Sequence, residues 1–144
     1  MRSMLFGILL LAAACSNGTQ LDVQSTSVLG ATLTTNGMTT PLDNTGHAQL
    51  LIEPALKGGD IFVDVARDGK SVNLFAECVE PVGPISNEPV QPVQEVALSI
   101  RRQLSDGSCV LLITSMVTQG QTFPGNADPS KFDDAPCGPF SLTR

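Results

Sequence analysis

Apolar and polar residues alternate from Asp60 to Val79 and again from Val96 to Val117, and each alternation is mirrored about an Asp-Gly pair. Alternation with period two is the mark of a half-buried strand, and Asp-Gly accepts the backbone of a tight hairpin turn. Reflecting "DIFVDVARDGKSVNLFAECV" about Asp68-Gly69 sets Val65 against Val72, Val63 against Leu74 and Ile61 against Ala76. Asp64, Asn73 and Glu77 then fall on the opposite face, and Cys78 continues the apolar one. A two-residue turn at Asp106-Gly107 likewise pairs Leu104 with Cys109, Ile100 with Ile113 and Val96 with Val117, opposite Ser99, Arg101, Gln103 and Thr114. Arg102 lands on the apolar face against Leu111, which places it at the rim with its stem packed. A bulge turning it outward, or an inward arginine in a binding cleft, are the alternatives.

Strand patterns also cover Leu21 to Ser25, Val28 to Thr35 and "HAQLLIE", with the turn formers "NGMTTPLDNTG" between the last two. "EPVGPISNEPVQPVQE" carries Pro81, Pro84, Pro89 and Pro92. Proline at that density removes backbone donors and favours extended chain, so the segment reads as a stiff crossover between sheets, or alternatively as a recognition segment for an aromatic groove. From Gln119 to Arg144 glycine and proline interrupt every period, which predicts an irregular cover over the domain. No segment after the first fourteen residues patterns as an amphipathic helix. The fold expected is all-β, a two-sheet antiparallel sandwich of about seven strands spanning 20–118, with an irregular tail at 119–144.

The first fourteen residues follow different rules. Arg2 precedes an uncharged run, Met4 to Ala14, that is shorter than the roughly 20 apolar residues a spanning helix needs. A positive start, a short apolar centre and a small-residue exit form a secretory signal peptide. Leu11-Ala12-Ala13-Ala14-Cys15 resembles the lipobox of bacterial lipoproteins, with Ala12 standing where that family prefers leucine. The resemblance implies cleavage before Cys15, a diacylglycerol thioether on its sulfur and an N-terminal palmitate-type acyl chain. It makes 15–19 a short lipidated tether, and Ser16, where an aspartate would retain the protein at the inner membrane, points to the outer membrane. The alternative is an ordinary signal cut after Ala12-Ala13-Ala14 that leaves Cys15 unmodified.

Charge narrows the partners. The chain has 8 basic and 14 acidic side chains, a formal charge of −6, and loss of Arg2 with the leader makes it one unit more negative. Nucleic acid and anionic lipid headgroups are disfavoured, since both require a positive face. The absence of Tyr and Trp argues against sugar stacking. A single histidine, His47, leaves most hydrolytic chemistry without its usual partners; a pocket gathering His47 with two carboxylates is the arrangement an acid–base enzyme would require. "PLDNTG" is similar to the Asp-Thr-Gly turn of aspartic proteases, but Asn44 interrupts the triplet and no second copy supplies the paired carboxylate. Asp43 and Gly46 therefore read as a turn. Asp128, Asp133 and Asp134 offer oxygens of the kind calcium takes, though their spacing departs from the usual calcium loop, and a solvated acidic loop is the reading preferred.

Residues 29–69 resemble the carboxypeptidase-regulatory-like, transthyretin-like sandwich domains in "LGATLTT", "LDNTGHAQL" and "ALKGGDIFVDV", with Ile61 in place of the usual tyrosine. The resemblance implies a structural or interaction module with no catalytic residues. With Cys15 acylated, Cys78, Cys109 and Cys137 remain, an odd number. A Cys78–Cys137 bridge is the first choice, Cys109–Cys137 the second, and three free thiols the alternative. No metal or cofactor is implied. The function expected is a membrane-anchored, non-catalytic module of the cell envelope that binds or braces another envelope protein; the alternative is a carrier of small apolar ligands or a chaperone-like module.

Overall fold

The computed structural model describes residues 18–78 and 91–141. Cys15, the leader and most of the proline-rich segment, including Pro81, Pro84 and Pro89, lie outside the described residues. Two sheets face each other. The larger contains β1 (Thr19–Gln24), β4 (His47–Ile52), β7 (Glu95–Gln103), β8 (Cys109–Thr118), β9 (Gln121–Pro124) and β10 (Phe132–Asp133). The smaller contains β2 (Thr32–Thr35), β3 (Met38–Pro41), β5 (Gly59–Arg67) and β6 (Lys70–Cys78). Their orders are β4-β1-β7-β8-β9, with β10 also on β7, and β3-β2-β5-β6.

The inward positions of both sheets make the core. Leu21, Val23, Leu50, Val96, Leu98 and Ile100 from the larger sheet meet Leu33, Ile61, Val63 and Val65 from the smaller, all at most 2 % exposed. The β5–β6 hairpin has the predicted register, with Val65 opposite Val72, Val63 opposite Leu74 and Ile61 opposite Ala76. Asp68 and Gly69 both have positive φ, 53° and 76°, as the mirror-image turn requires.

Four expectations need correction. The sheets hold ten described strands rather than about seven. One extra strand, β3, follows the two-residue turn Asn36-Gly37, and another, β9, follows Gln119-Gly120, each turn with both residues at positive φ. The sandwich is also not wholly antiparallel. β1 runs parallel to β7, with Leu21 beside Val96 and Val23 beside Leu98; parallel neighbours need a long crossover, and β2 to β6 intervene between them. The tail, in turn, is not wholly irregular, because β9 and β10 lie within it.

The fourth correction concerns the second hairpin. Ile100 pairs with Leu111 and Arg102 with Cys109, two residues short of the predicted register. Asp106 has no positive φ, so the loop is longer: Gln103 N–H donates to Ser108 O and Gly107 N–H to Gln103 O. The Asp106 carboxylate accepts from the backbone and hydroxyl of Ser108, which fixes that wider loop. Because the slip is even, the strand faces stay as predicted up to the bulge between Ala97 and Leu98, while Leu104, expected inward against Cys109, falls in the wider loop and is exposed. Beyond it Val96 meets Met116, and Met116 rather than Val117 enters the core.

Candidate functional site

Among the depressions on the described surface, one polar and one apolar gather the side chains with chemistry to offer. The polar one is a trough of about 770 Å³ on the outer face of the larger sheet, lined by Asp22 and Gln24 of β1, His47 and Gln49 of β4 and Ser99 of β7. Alternation explains the lining: the neighbours Leu21, Val23, Ala48, Leu50 and Leu98 point into the core, so these polar side chains point out. Thr40, Pro41 and Asp43, from β3 and the turn after it, complete one wall.

His47, Asp22 and Asp43 are thus gathered in one trough. Asp43, however, is the keystone of its own turn. Its Oδ1 accepts from Thr45 N–H at 2.8 Å, Thr45 Oγ1 at 2.7 Å and His47 N–H at 3.0 Å. The Thr45 hydroxyl, then the His47 N–H, hold the Asp43 carboxyl below its ordinary range. His47 Nδ1 lies 3.1 Å from Thr45 Oγ1, so the ring is also engaged by the turn. Gly46 closes it: its φ is +85°, its carbonyl accepts from Ser25 N–H, and an added Cβ would stand 2.1 Å from Ser25 O. The local contacts of Asp43 and His47 therefore explain a strand connection, as the sequence predicts for Asp43 and Gly46.

The apolar depression is a cleft of about 530 Å³ along the side of the sandwich where β6 ends the smaller sheet. Phe75, Ala76 and Glu77 of β6 form one wall; Leu111, Ile113 and Met116 of β8, Phe123 and Pro124 of β9, and residues 125–127 form the other. Gly125 makes the turn of that wall possible, since a Cβ there would stand 1.8 Å from Ile113 O. Across the β5–β6 ladder, Phe75 at the rim of the cleft opposes Phe62, ring centroids 6.1 Å apart. The two rings are 63 % and 53 % exposed.

The remaining predicted residues are structural in their contacts. Cys109 is joined to Cys137, not Cys78 to Cys137 as first expected. The tail is brought to the start of β8 because β10 pairs with the end of β7 and Gly138 N–H donates to Gly107 O. Arg67, at the start of the β5–β6 turn, donates to Phe140 O and lies over its ring. Cys78 stands eight residues past Lys70 on β6, roughly 26 Å away at 3.3 Å per residue, and it pairs with Gly59 in the ladder.

Arg102 stays at the rim, half-exposed, and forks onto the Asp133 carboxylate through Nε at 2.8 Å and through a second N–H. That guanidinium pulls the Asp133 carboxyl down to about 2. Arg101 takes Asp134 at 2.9 Å, and Asp128 accepts from the backbone and hydroxyl of Ser130. The three aspartates weighed as calcium ligands are thus divided between two arginines and a cap.

Sequence reasoning missed Phe62, Phe75 and Phe123 as surface groups. The signal for the first two was present: the reflection that puts Val63 inside puts Phe62 opposite Phe75 outside. No protein family, curated protein or solved structure matches the chain, so its reading rests on these residues and their geometry.

Proposed function

We propose that this chain is an exported lipoprotein, held at the outer membrane through a lipid on Cys15, that works as a non-catalytic interaction module of the cell envelope. The leader and its Leu11-to-Cys15 exit support the address. The interaction role is supported by one observation, the cleft bounded by Phe75, Leu111, Ile113 and Phe123, with a second exposed phenylalanine, Phe62, beside Phe75. Large exposed apolar patches on soluble domains mark interaction sites, and aromatic side chains in pockets are the usual anchors of interfaces. The acid–base reading is weaker because Asp43, one of the two carboxylates beside His47, is committed to its turn.

Capture from envelope extracts tests the proposal, using the membrane-extracted protein as bait beside a control lipoprotein. The expected result is an enriched envelope protein that is lost with Phe75→Ser. Absence of enrichment, or enrichment unchanged by that substitution, overturns it. A second reading, a carrier of small apolar molecules, is favoured by the cleft volume, which lies within the roughly 300–1,000 Å³ of ligand sites. Native mass spectrometry of the purified protein would then show a bound small molecule that Phe123→Ser releases.

A further inference from the structure

The two sheets differ in width. The main path of the larger sheet is five strands across and the smaller sheet four, and β6 packs over β8, so β9 extends past the edge of the smaller sheet. No described strand pairs with the outer edge of β6. The apolar cleft lies where a further strand beside β6 would sit, because its walls are β6 on one side and β8 and β9 on the other.

The outer face beside that edge has its own pattern. Along the β5–β6 ladder Asp60 faces Glu77, Phe62 faces Phe75, and Asp64 faces Asn73. All six are exposed. Carboxylates placed directly opposite one another disfavour the ladder, and aromatic faces attract cations. A positively charged side chain beside Phe75 and Glu77 would relieve the first and satisfy the second.

We propose that the outer edge of β6, with which no described strand pairs, takes an extended segment of a partner protein in which apolar residues alternate with Lys or Arg, added to the smaller sheet as a further strand. This rests on the interaction-module reading and names its partner's chemistry. Successive side chains of a strand point to opposite faces. In the added strand one set enters the cleft against Leu111, Ile113 and Phe123, and the other lies beside Phe75 and Glu77. The first set must therefore be apolar and the second cationic, while backbone pairing with β6 supplies sequence-tolerant affinity.

The chain contains no Trp or Tyr, so a peptide carrying one Trp reports its own binding. The probes are three short peptides titrated into the membrane-extracted protein in neutral detergent: Val alternating with Lys, Val alternating with Glu, and the Val-Lys composition with all lysines at one end. Each carries Trp at one Val position. The alternating Val-Lys peptide should give a saturable blue shift, weakened about tenfold by Glu77→Lys or by about 0.5 M salt. It should also slow hydrogen exchange of the β6 amides. Glu77→Lys removes the opposition to Asp60, so this variant should keep its fold, which far-UV circular dichroism checks.

Equal binding of all three peptides, or binding that leaves β6 exchange unchanged, overturns the proposal. So does a concentration-dependent dimer, detected by sedimentation, that protects the same amides without peptide, because the edge would then belong to a second copy. Should no peptide bind while Phe75→Ser still abolishes partner capture, strand addition falls and the interaction-module reading stands. Should capture fail as well, both fall.

Discussion

At the scale of single residues, polar side chains in this molecule act as joints between distant segments. Thr19 is fully buried, donates its hydroxyl to Val93 O at 2.6 Å and accepts from Leu56 N–H at 2.8 Å. It therefore ties β1 to two loops at once. Thr19→Val keeps the shape and strands the Leu56 N–H and Val93 carbonyl, so a loss of about 1–3 kcal/mol is expected in urea unfolding. Asp133 makes a pH-dependent joint. The Arg102 guanidinium draws its carboxyl from 3.8 down to about 2, whereas the unfolded chain titrates at the ordinary value. Its stabilising contribution is complete above the unfolded value and disappears as pH falls through the folded one. Melting temperature should therefore fall between about pH 4 and pH 2, and fall less steeply in Asp133→Asn. Some slope remains in the variant, since Asp43, Asp106 and Asp128 are also held low by hydrogen bonds within their turns. Equal slopes in thermal scans of parent and variant would remove Asp133 from this account.

Among the elements, the tail shows most clearly how a segment without periodicity is held. Its start is held by β9 on β8, and its later part by β10 on β7, the Arg101 and Arg102 pairs with Asp134 and Asp133, the Cys109–Cys137 bridge, and Arg67 over Phe140. The bridge closes a separation of 28 residues, and its removal by Cys109→Ser with Cys137→Ser should cost about 3–4 kcal/mol. Hydrogen exchange would locate the loss: amides of 129–141 should exchange faster while those of β5 and β6 keep their protection. The β5–β6 hairpin was legible residue by residue because its turn obeys the two-residue rule that its Asp-Gly announces. The β7–β8 hairpin was legible only in its faces, since Asp106-Gly107 closes a wider loop whose length a dipeptide does not specify. Asn36-Gly37 carried a strong hairpin signal that the surrounding turn formers obscured, and Gln119-Gly120 carried a weak one. The pairing of β1 beside β7 joins residues more than 70 positions apart, and no local pattern encodes it.

For the molecule as a whole, the proposed anchor sets an orientation. Phe62 and Phe75 could be read outward from register alone, but the cleft beside them depends on which sheet edge faces which, and that belongs to tertiary packing. The anchor is different, because its consequence follows from covalent reach. Only four Cα steps separate Cys15 from Thr19, the first residue of β1, a span of at most about 15 Å. Lys57 adjoins Leu56, whose N–H is bound to Thr19, so it lies at the end of the sandwich nearest the proposed lipid. Ser105 lies beyond the far end of β7, whose start pairs with the start of β1; the nine residues of β7 place it roughly 26 Å further out at 3.3 Å per residue. Both residues are exposed, and the chain contains no Trp. Trp introduced singly as Lys57→Trp and Ser105→Trp can therefore be quenched by nitroxide-labelled lipid headgroups in vesicles carrying the processed protein. Strong quenching at position 57, weak quenching at 105, and neither in a Cys15→Ser background is the expected outcome. Equal quenching at both positions would mean that the body lies flat or detached, and quenching that survives Cys15→Ser would mean that something other than this sulfur holds it to the membrane.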